Sequence, residues 1–218
     1  MRLFLEASVV AALSLVSVSA HAESAEDVNR AANETIIIGD SIFALNGVIN
    51  SELEEISSLD IDSYARNGAI MSGIVRQYQQ ARANGIARTV IMNGGGNDVL
   101  ANMGNCRAFN QTCINVIEKA TSQGLDLVNQ MEADGVERIF FLGYYYTTSL
   151  ASGLEKAVDY AMSRAATLCE NTTVRCEVVD TRDIMQGSGN LSWDGIHPSR
   201  TGSIKMAQLL WERMQTID

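Results

Sequence analysis

His197 stands three residues after Asp194 in Trp193-Asp194-Gly195-Ile196-His197-Pro198, and the only other histidine, His21, lies in an N-terminal leader. Histidine is the side chain whose unperturbed pKa falls near working pH, so it serves as general base wherever a hydroxyl must be turned into a nucleophile. A carboxylate three residues away can be delivered by the same loop to orient the imidazole. The remaining requirement is a hydroxyl, and Ser41 in Gly39-Asp40-Ser41-Ile42 follows a short apolar run at a turn. Serine there is equally suited to capping the helix that the next residues open, and Ser41 taken alone does not distinguish the two roles. The Gly-x-Ser-x-Gly elbow found in another large class of serine enzymes is absent.

The elements that must position these groups are legible as alternating patterns. Thr35-Ile36-Ile37-Ile38, Thr89-Val90-Ile91-Met92, Arg138 to Leu142 and Val174 to Val179 read as strands buried on both faces, with Ile61 to Tyr64 as a weaker one. Between them, Ile117, Ala120, Gly124, Val128 and Met131 share one helical face, as do Ala207, Leu210, Trp211 and Met214. Strands alternating with helices imply an α/β fold: a three-layer α/β/α sandwich around a mostly parallel sheet of about five strands, flavodoxin-like in plan. In such sheets ligands bind beyond the carboxyl ends of the strands. The residues to read are therefore Gly39-Asp40-Ser41, Arg66-Asn67-Gly68 and Gly94-Gly95-Gly96-Asn97-Asp98. The glycine run carries neither Gly-Lys-Ser/Thr nor Gly-x-Gly-x-x-Gly, which argues against a phosphate loop.

Residues 1–22 read as a secretory signal peptide, with Arg2, an apolar stretch from Ala7 to Val18, and Ala20-His21-Ala22 as the cleavage site. Residues 23–218 then form a single domain in a secreted or periplasmic protein, without stable membrane insertion after cleavage. The net charge of −10 disfavours nucleic acid and anionic membranes as partners. Four cysteines form two pairs of like spacing, Cys106/Cys113 and Cys169/Cys176, and an oxidising destination makes two local disulfides the expected pairing. No metal site is expected, since no C-x-x-C spacing occurs and one histidine remains. Tyr144-Tyr145-Tyr146, after the fourth strand, is placed to wall a cleft, and Ala101 to Cys113 to form a lip over it.

Taken together, Gly39-Asp40-Ser41-Ile42, Asn67-Gly68, Gly96-Asn97-Asp98 and Asp194-Gly195-Ile196-His197-Pro198 resemble the blocks of the SGNH, or GDSL-type, hydrolases, in the family's order and over about residues 35–216. Ile42 stands where that family usually has Leu, and the Gly68 block is the least distinctive. The resemblance implies a serine esterase needing no cofactor, with Ser41 as nucleophile, His197 as base and Asp194 as its partner. It further implies an oxyanion hole from the N–H groups of Ser41 and Gly68 and the amide of Asn97; Asp98, an alternative to Asp194 as the acid, is read as bracing the Asn97 loop by hydrogen bonding, and Asp40 as doing the same beside Ser41. Implied substrates are carboxylic esters, thioesters and lysophospholipids, or acetylated glycans if the enzyme is a carbohydrate O-acetylesterase. The lack of a long apolar lid points to small or soluble acyl substrates. A non-catalytic binding module keeping the fold is the reading from a different class.

Overall fold

In the computed structural model, residues 35–216 are described; the expected signal peptide lies outside them. Strands β1 (Thr35–Ile38), β2 (Ile61–Ser63), β3 (Thr89–Met92), β4 (Arg138–Leu142) and β5 (Arg175–Val179) form one sheet in the order β2-β1-β3-β4-β5, with every neighbouring pair parallel. All four residues of β1 and of β3 are buried, as β-branched runs covered on both faces must be.

Side-chain alternation sorts each strand's residues between two cores. Ile36, Ile38, Val90, Met92, Ile139 and Phe141 pack against Met71, Ile74 and Tyr78 of α3 (Met71–Arg82) and Leu127, Val128 and Met131 of α6 (Gln111–Asp134). Ile37, Ile91 and Phe140 face the other way, toward Ile49 and Leu53 of α2 (Val48–Ser57) and Met206 and Leu210 of α8 (Arg200–Thr216). The result is the expected three-layer sandwich. Helix α7 (Glu155–Ala166) lies beside α6, and the short helices α1 (Ser41–Ala44), α4 (Gly96–Ala101) and α5 (Met103–Arg107) stand near the strands' carboxyl ends.

From β1 the chain steps to β2 on one side, whereas β3, β4 and β5 succeed each other on the other side. This reversal opens a crevice beyond the carboxyl ends of β1 and β3, where a ligand site is expected in such sheets. Cys106 is bonded to Cys113 and Cys169 to Cys176, as the spacing predicted; the second bond ties the edge strand β5 to the turn Thr167–Cys169. Among the described residues no helix is long and apolar enough to cross a membrane.

Candidate active site

The turn after β1 is held by side chains from two other elements. Gln77 of α3 accepts from the Gly39 N–H at 2.7 Å and donates to the Gly39 carbonyl at 2.9 Å. Asn93, directly after β3, accepts from the Asp40 N–H and donates to the Asp40 carboxylate, both at 2.9 Å. Gly39 is required by this close approach, since a Cβ there would meet the Asn93 amide and stand 2.7 Å from the Phe43 ring. Asp40 in turn caps α1, accepting from the Ile42 N–H at 2.9 Å. Asp40 thus takes the capping role for which Ser41 is also suited, and leaves the Ser41 hydroxyl available at the first position of the helix.

That hydroxyl lies 2.9 Å from Nε2 of His197. On the other side of the ring, Nδ1 is 2.6 Å from Oδ2 of Asp194. An ionised carboxylate only accepts, so Nδ1 carries the proton and Nε2 presents its lone pair to the serine. Asp194 is fixed by its own loop, accepting at Oδ1 from the N–H groups of Ile196 and His197 at 2.9 and 3.0 Å. Burial pushes its carboxyl up, but the hydrogen bonds from the His197 ring and these two N–H groups outweigh that and hold it below the usual carboxylate range. The loop is closed by Ser192 N–H on the His197 carbonyl at 2.8 Å and is pinned to the stretch after β4, where Thr148 N–H meets the Gly195 carbonyl at 2.8 Å. Gly195 has φ of +69°, and a Cβ there would stand 2.6 Å from the Thr148 carbonyl oxygen, so a side chain is excluded twice over.

Gly68 occupies a turn at φ +73°, in the loop that β2 carries alongside β1 through Arg66 N–H on the Gly39 carbonyl at 3.0 Å. Asn97, in the first turn of α4, directs Nδ2 to the carbonyl of Ala69 at 3.1 Å and stands 3.5 Å from Asp40 Oδ2. The Gly68 loop, Asn97 and the Ser41 turn are therefore parts of one network. The N–H groups of Ser41 and Gly68 have no hydrogen-bond partner among the described residues. Asp98 does not approach His197; its carboxylate accepts from the Met71 N–H at 2.8 Å and so joins α4 to the start of α3.

Three residues of this site escape the sequence reading in whole or part. Gln77 and Asn93 fall in none of the four sequence blocks, although a glutamine at a helix position that is otherwise apolar, and an asparagine ending a buried strand, are polar groups in places that need partners. Tyr144 was expected only as a wall, yet its hydroxyl donates to Asp40 Oδ2 at 2.6 Å. Burial raises the Asp40 carboxyl, opposed by hydrogen bonds from Tyr144, Ile42 and Asn93. Tyr144 itself is pushed well above its ordinary value by burial and by the Asp40 charge, so it remains a donor. Tyr146 points elsewhere, to Asp159 at 2.6 Å. Because Asn93 serves both the N–H and the carboxylate of a buried residue, Asn93→Ala should cost about 2–4 kcal/mol: the Asp40 N–H is left unpaired and the carboxylate, still held by Ile42 and Tyr144, loses one of its donors. Urea unfolding monitored by circular dichroism measures it.

Beside Ser41 and Asn97 a cavity opens, walled by Tyr144, Tyr145 and residues of α6 and α7. The disulfide-linked segment flanks it: Cys106 and Cys113 are buried with Ile117, Leu154 and Ala157, and Ile196 packs on that cluster.

A parallel three-layer sandwich that gathers a serine, an imidazole and a carboxylate at its switch point is the architecture of a serine hydrolase. The family model for GDSL-like lipase/acylhydrolases matches residues 36–210, and the chain belongs to that family, a group of SGNH hydrolases acting on ester bonds. No curated protein matches it in sequence. Its fold is similar to that of a lipase from a goat rumen metagenome, at TM-score 0.66 and 15% identity over 82% of this chain and 96% of that one. It is likewise similar to the psychrotrophic esterase EstA from a Pseudoalteromonas species, at TM-score 0.62 and 16% identity over 84% and 97%. An acetylxylan esterase from Geobacillus stearothermophilus gives TM-score 0.65 and 15% identity over 84% and 94%.

Proposed function

We propose that the protein hydrolyses carboxylic esters through an acyl-enzyme formed on Ser41. The observation that carries this reading is the line of contacts from Asp194 Oδ2 through both ring nitrogens of His197 to Ser41 Oγ, at 2.6 and 2.9 Å. As Oγ adds to the ester carbonyl, its proton passes to Nε2, and the ionised Asp194 stabilises the imidazolium. The tetrahedral oxyanion is received by the N–H groups of Ser41 and Gly68 and by Asn97 Nδ2. Collapse breaks the carbon–oxygen bond to the alcohol, which leaves with the proton from Nε2. Water then adds to the acyl-enzyme with His197 again as base, releasing the acid and restoring Ser41. Asp40, through Tyr144 and Asn93, and Asp98, through Met71, hold the loops that carry these groups. None of these steps calls on a cofactor.

A fluorophosphonate probe tests the assignment. Mass spectrometry should find its adduct on the peptide containing Ser41, and an unlabelled Ser41 in folded protein would return the chain to the class of non-catalytic binding modules. Asn97→Ala should lower kcat by about 10²–10³, the usual effect of removing one oxyanion donor, with a smaller change in KM.

The two disulfides support a further part of the reading: residues 1–22 are removed on export, and residues 23–218 act as one domain in the periplasm or outside the cell.

A further inference from the structure

We infer that the acyl group of the substrate is an unbranched aliphatic chain much longer than acetyl, and that it descends from Ser41 into the cavity between α7 and the sheet. This rests on the reading of Ser41 as the nucleophile. The cavity has a volume of about 100 Å³, several times the ~10–15 Å³ that admits a single water. Protein interiors are otherwise close-packed, with few voids larger than a water molecule. A space of this size opening beside the nucleophile is a place for part of the substrate.

Its shape follows from the helix. Leu154, Ala157, Val158, Ala161, Met162 and Ala165 of α7 and the residue before it line the cavity. Leu154 lies at the end near the catalytic loop, since Ile196 packs on the cluster that contains it. Ala165 is eleven positions further on, about 16 Å along the axis at 1.5 Å per residue, and belongs to the core beneath the sheet. Alanine recurs at every fourth position on this face, where leucine or methionine would close the gap to Phe141 of β4 and to Ile117 and Ala120 of α6. The cavity is thus long and narrow, and it leads inward.

Its chemistry selects methylenes over hydroxyls. The polar side chains along the wall are engaged within the protein: Tyr144 donates to Asp40, Tyr145 to the Ile196 carbonyl at 2.8 Å, and Thr147 to the Ala151 carbonyl at 2.6 Å. A sugar hydroxyl placed there would lose its water without gaining a partner, which is unfavourable. An alkyl chain is favoured by every methylene it buries. An acetyl group would leave nearly all of the space unfilled. Longer acyl groups are accordingly favoured over the small or soluble ones suggested by the missing lid.

The experiment is a series of p-nitrophenyl esters from acetyl to dodecanoyl, each kept below its aggregation threshold, with the wild-type enzyme and three variants. For the wild type, kcat/KM should climb roughly fourfold per methylene at first, reaching at least about 100-fold from acetyl to octanoyl. Ala161→Phe, which fills the middle of the cavity, should reduce the octanoyl-to-acetyl ratio at least about tenfold. Ala165→Leu, a smaller change at the deep end, should selectively reduce dodecanoyl turnover and serves if the phenylalanine variant does not fold. Ala166→Phe, on the exposed face of the same helix, is the control and should leave the ratio unmoved. A flat series, a preference for acetyl esters or acetylated xylan, or unaltered ratios in folded cavity variants would overturn the inference while leaving the serine esterase standing. Absence of turnover for every ester, together with an unlabelled Ser41, would instead overturn the esterase reading beneath it.

Discussion

Ser41→Ala should lower kcat for a good ester substrate by a factor of about 10⁴–10⁶, and His197→Ala should lower it by a similar factor. The two losses should not add. Ser41 Oγ is 2.9 Å from Nε2 of His197, the only ring nitrogen among the described residues placed to take its proton, so on the proposed mechanism each group is idle without the other. The double variant should be about as slow as either single one, leaving whatever the oxyanion donors supply to attack by water. Binding is a separate matter. Either substitution leaves the apolar walls of the cavity in place, so a non-hydrolysable substrate analogue should bind the alanine variants within a few-fold of its wild-type affinity. Turnover by Ser41→Ala within tenfold of wild type would place the nucleophile elsewhere.

Asp194→Asn should cost about 10⁴ in kcat but only a small part of the overall stability at neutral pH, a combination specific to this geometry. The asparagine oxygen can still accept from the N–H groups of Ile196 and His197, so the loop keeps its shape. Its NH2, however, faces Nδ1 and can only donate. The imidazole must then carry its proton on Nε2, where it meets Ser41 as a donor and no longer as a base. Asp194→Ala, by contrast, removes the loop's acceptors as well and should lower both activity and the thermal midpoint. The pH dependence follows from the carboxyl being held below its usual range. Its contribution to stability is present above the unfolded value, near ~3.9, and is lost as pH falls through the lower folded one. Wild type and Asp194→Asn should therefore converge in stability in acid, as a series of urea titrations would show.

The central strands β1, β3 and β4 were legible as short β-branched or aromatic runs, whereas the edge strands β2 and β5 carry Asp62 and Glu177 and are only partly buried, unlike the two-sided burial expected of Val174 to Val179. The apolar pattern overruns the strands by one residue at Val174, before β5, and at Tyr64, after β2. Ser41, Asp194 and His197 were legible as types at suggestive positions, and the order of four blocks supplied what spacing alone does not. The side chains that hold the Ser41 turn in place were not legible. Asn93 reaches Asp40 across 53 residues and Tyr144 across 104, and whether such groups meet depends on how strands align in the sheet. Local pattern carries no register. The cavity escaped for a related reason: alanines at every fourth position on α7 read as an ordinary helical face, and the space they leave exists only once Phe141 and α6 are set opposite them.

Ser41 and His197 are 156 positions apart, and α8, which follows the His197 loop, packs on α2, which follows Ser41. The first strand therefore has no catalytic partner until nearly the last part of the chain has been made and docked. During synthesis or refolding, partly folded molecules should be silent toward substrate, however much of the sheet they have assembled. Recovered esterase activity would then count only those chains whose two ends have met, and should lag behind the return of helical circular dichroism.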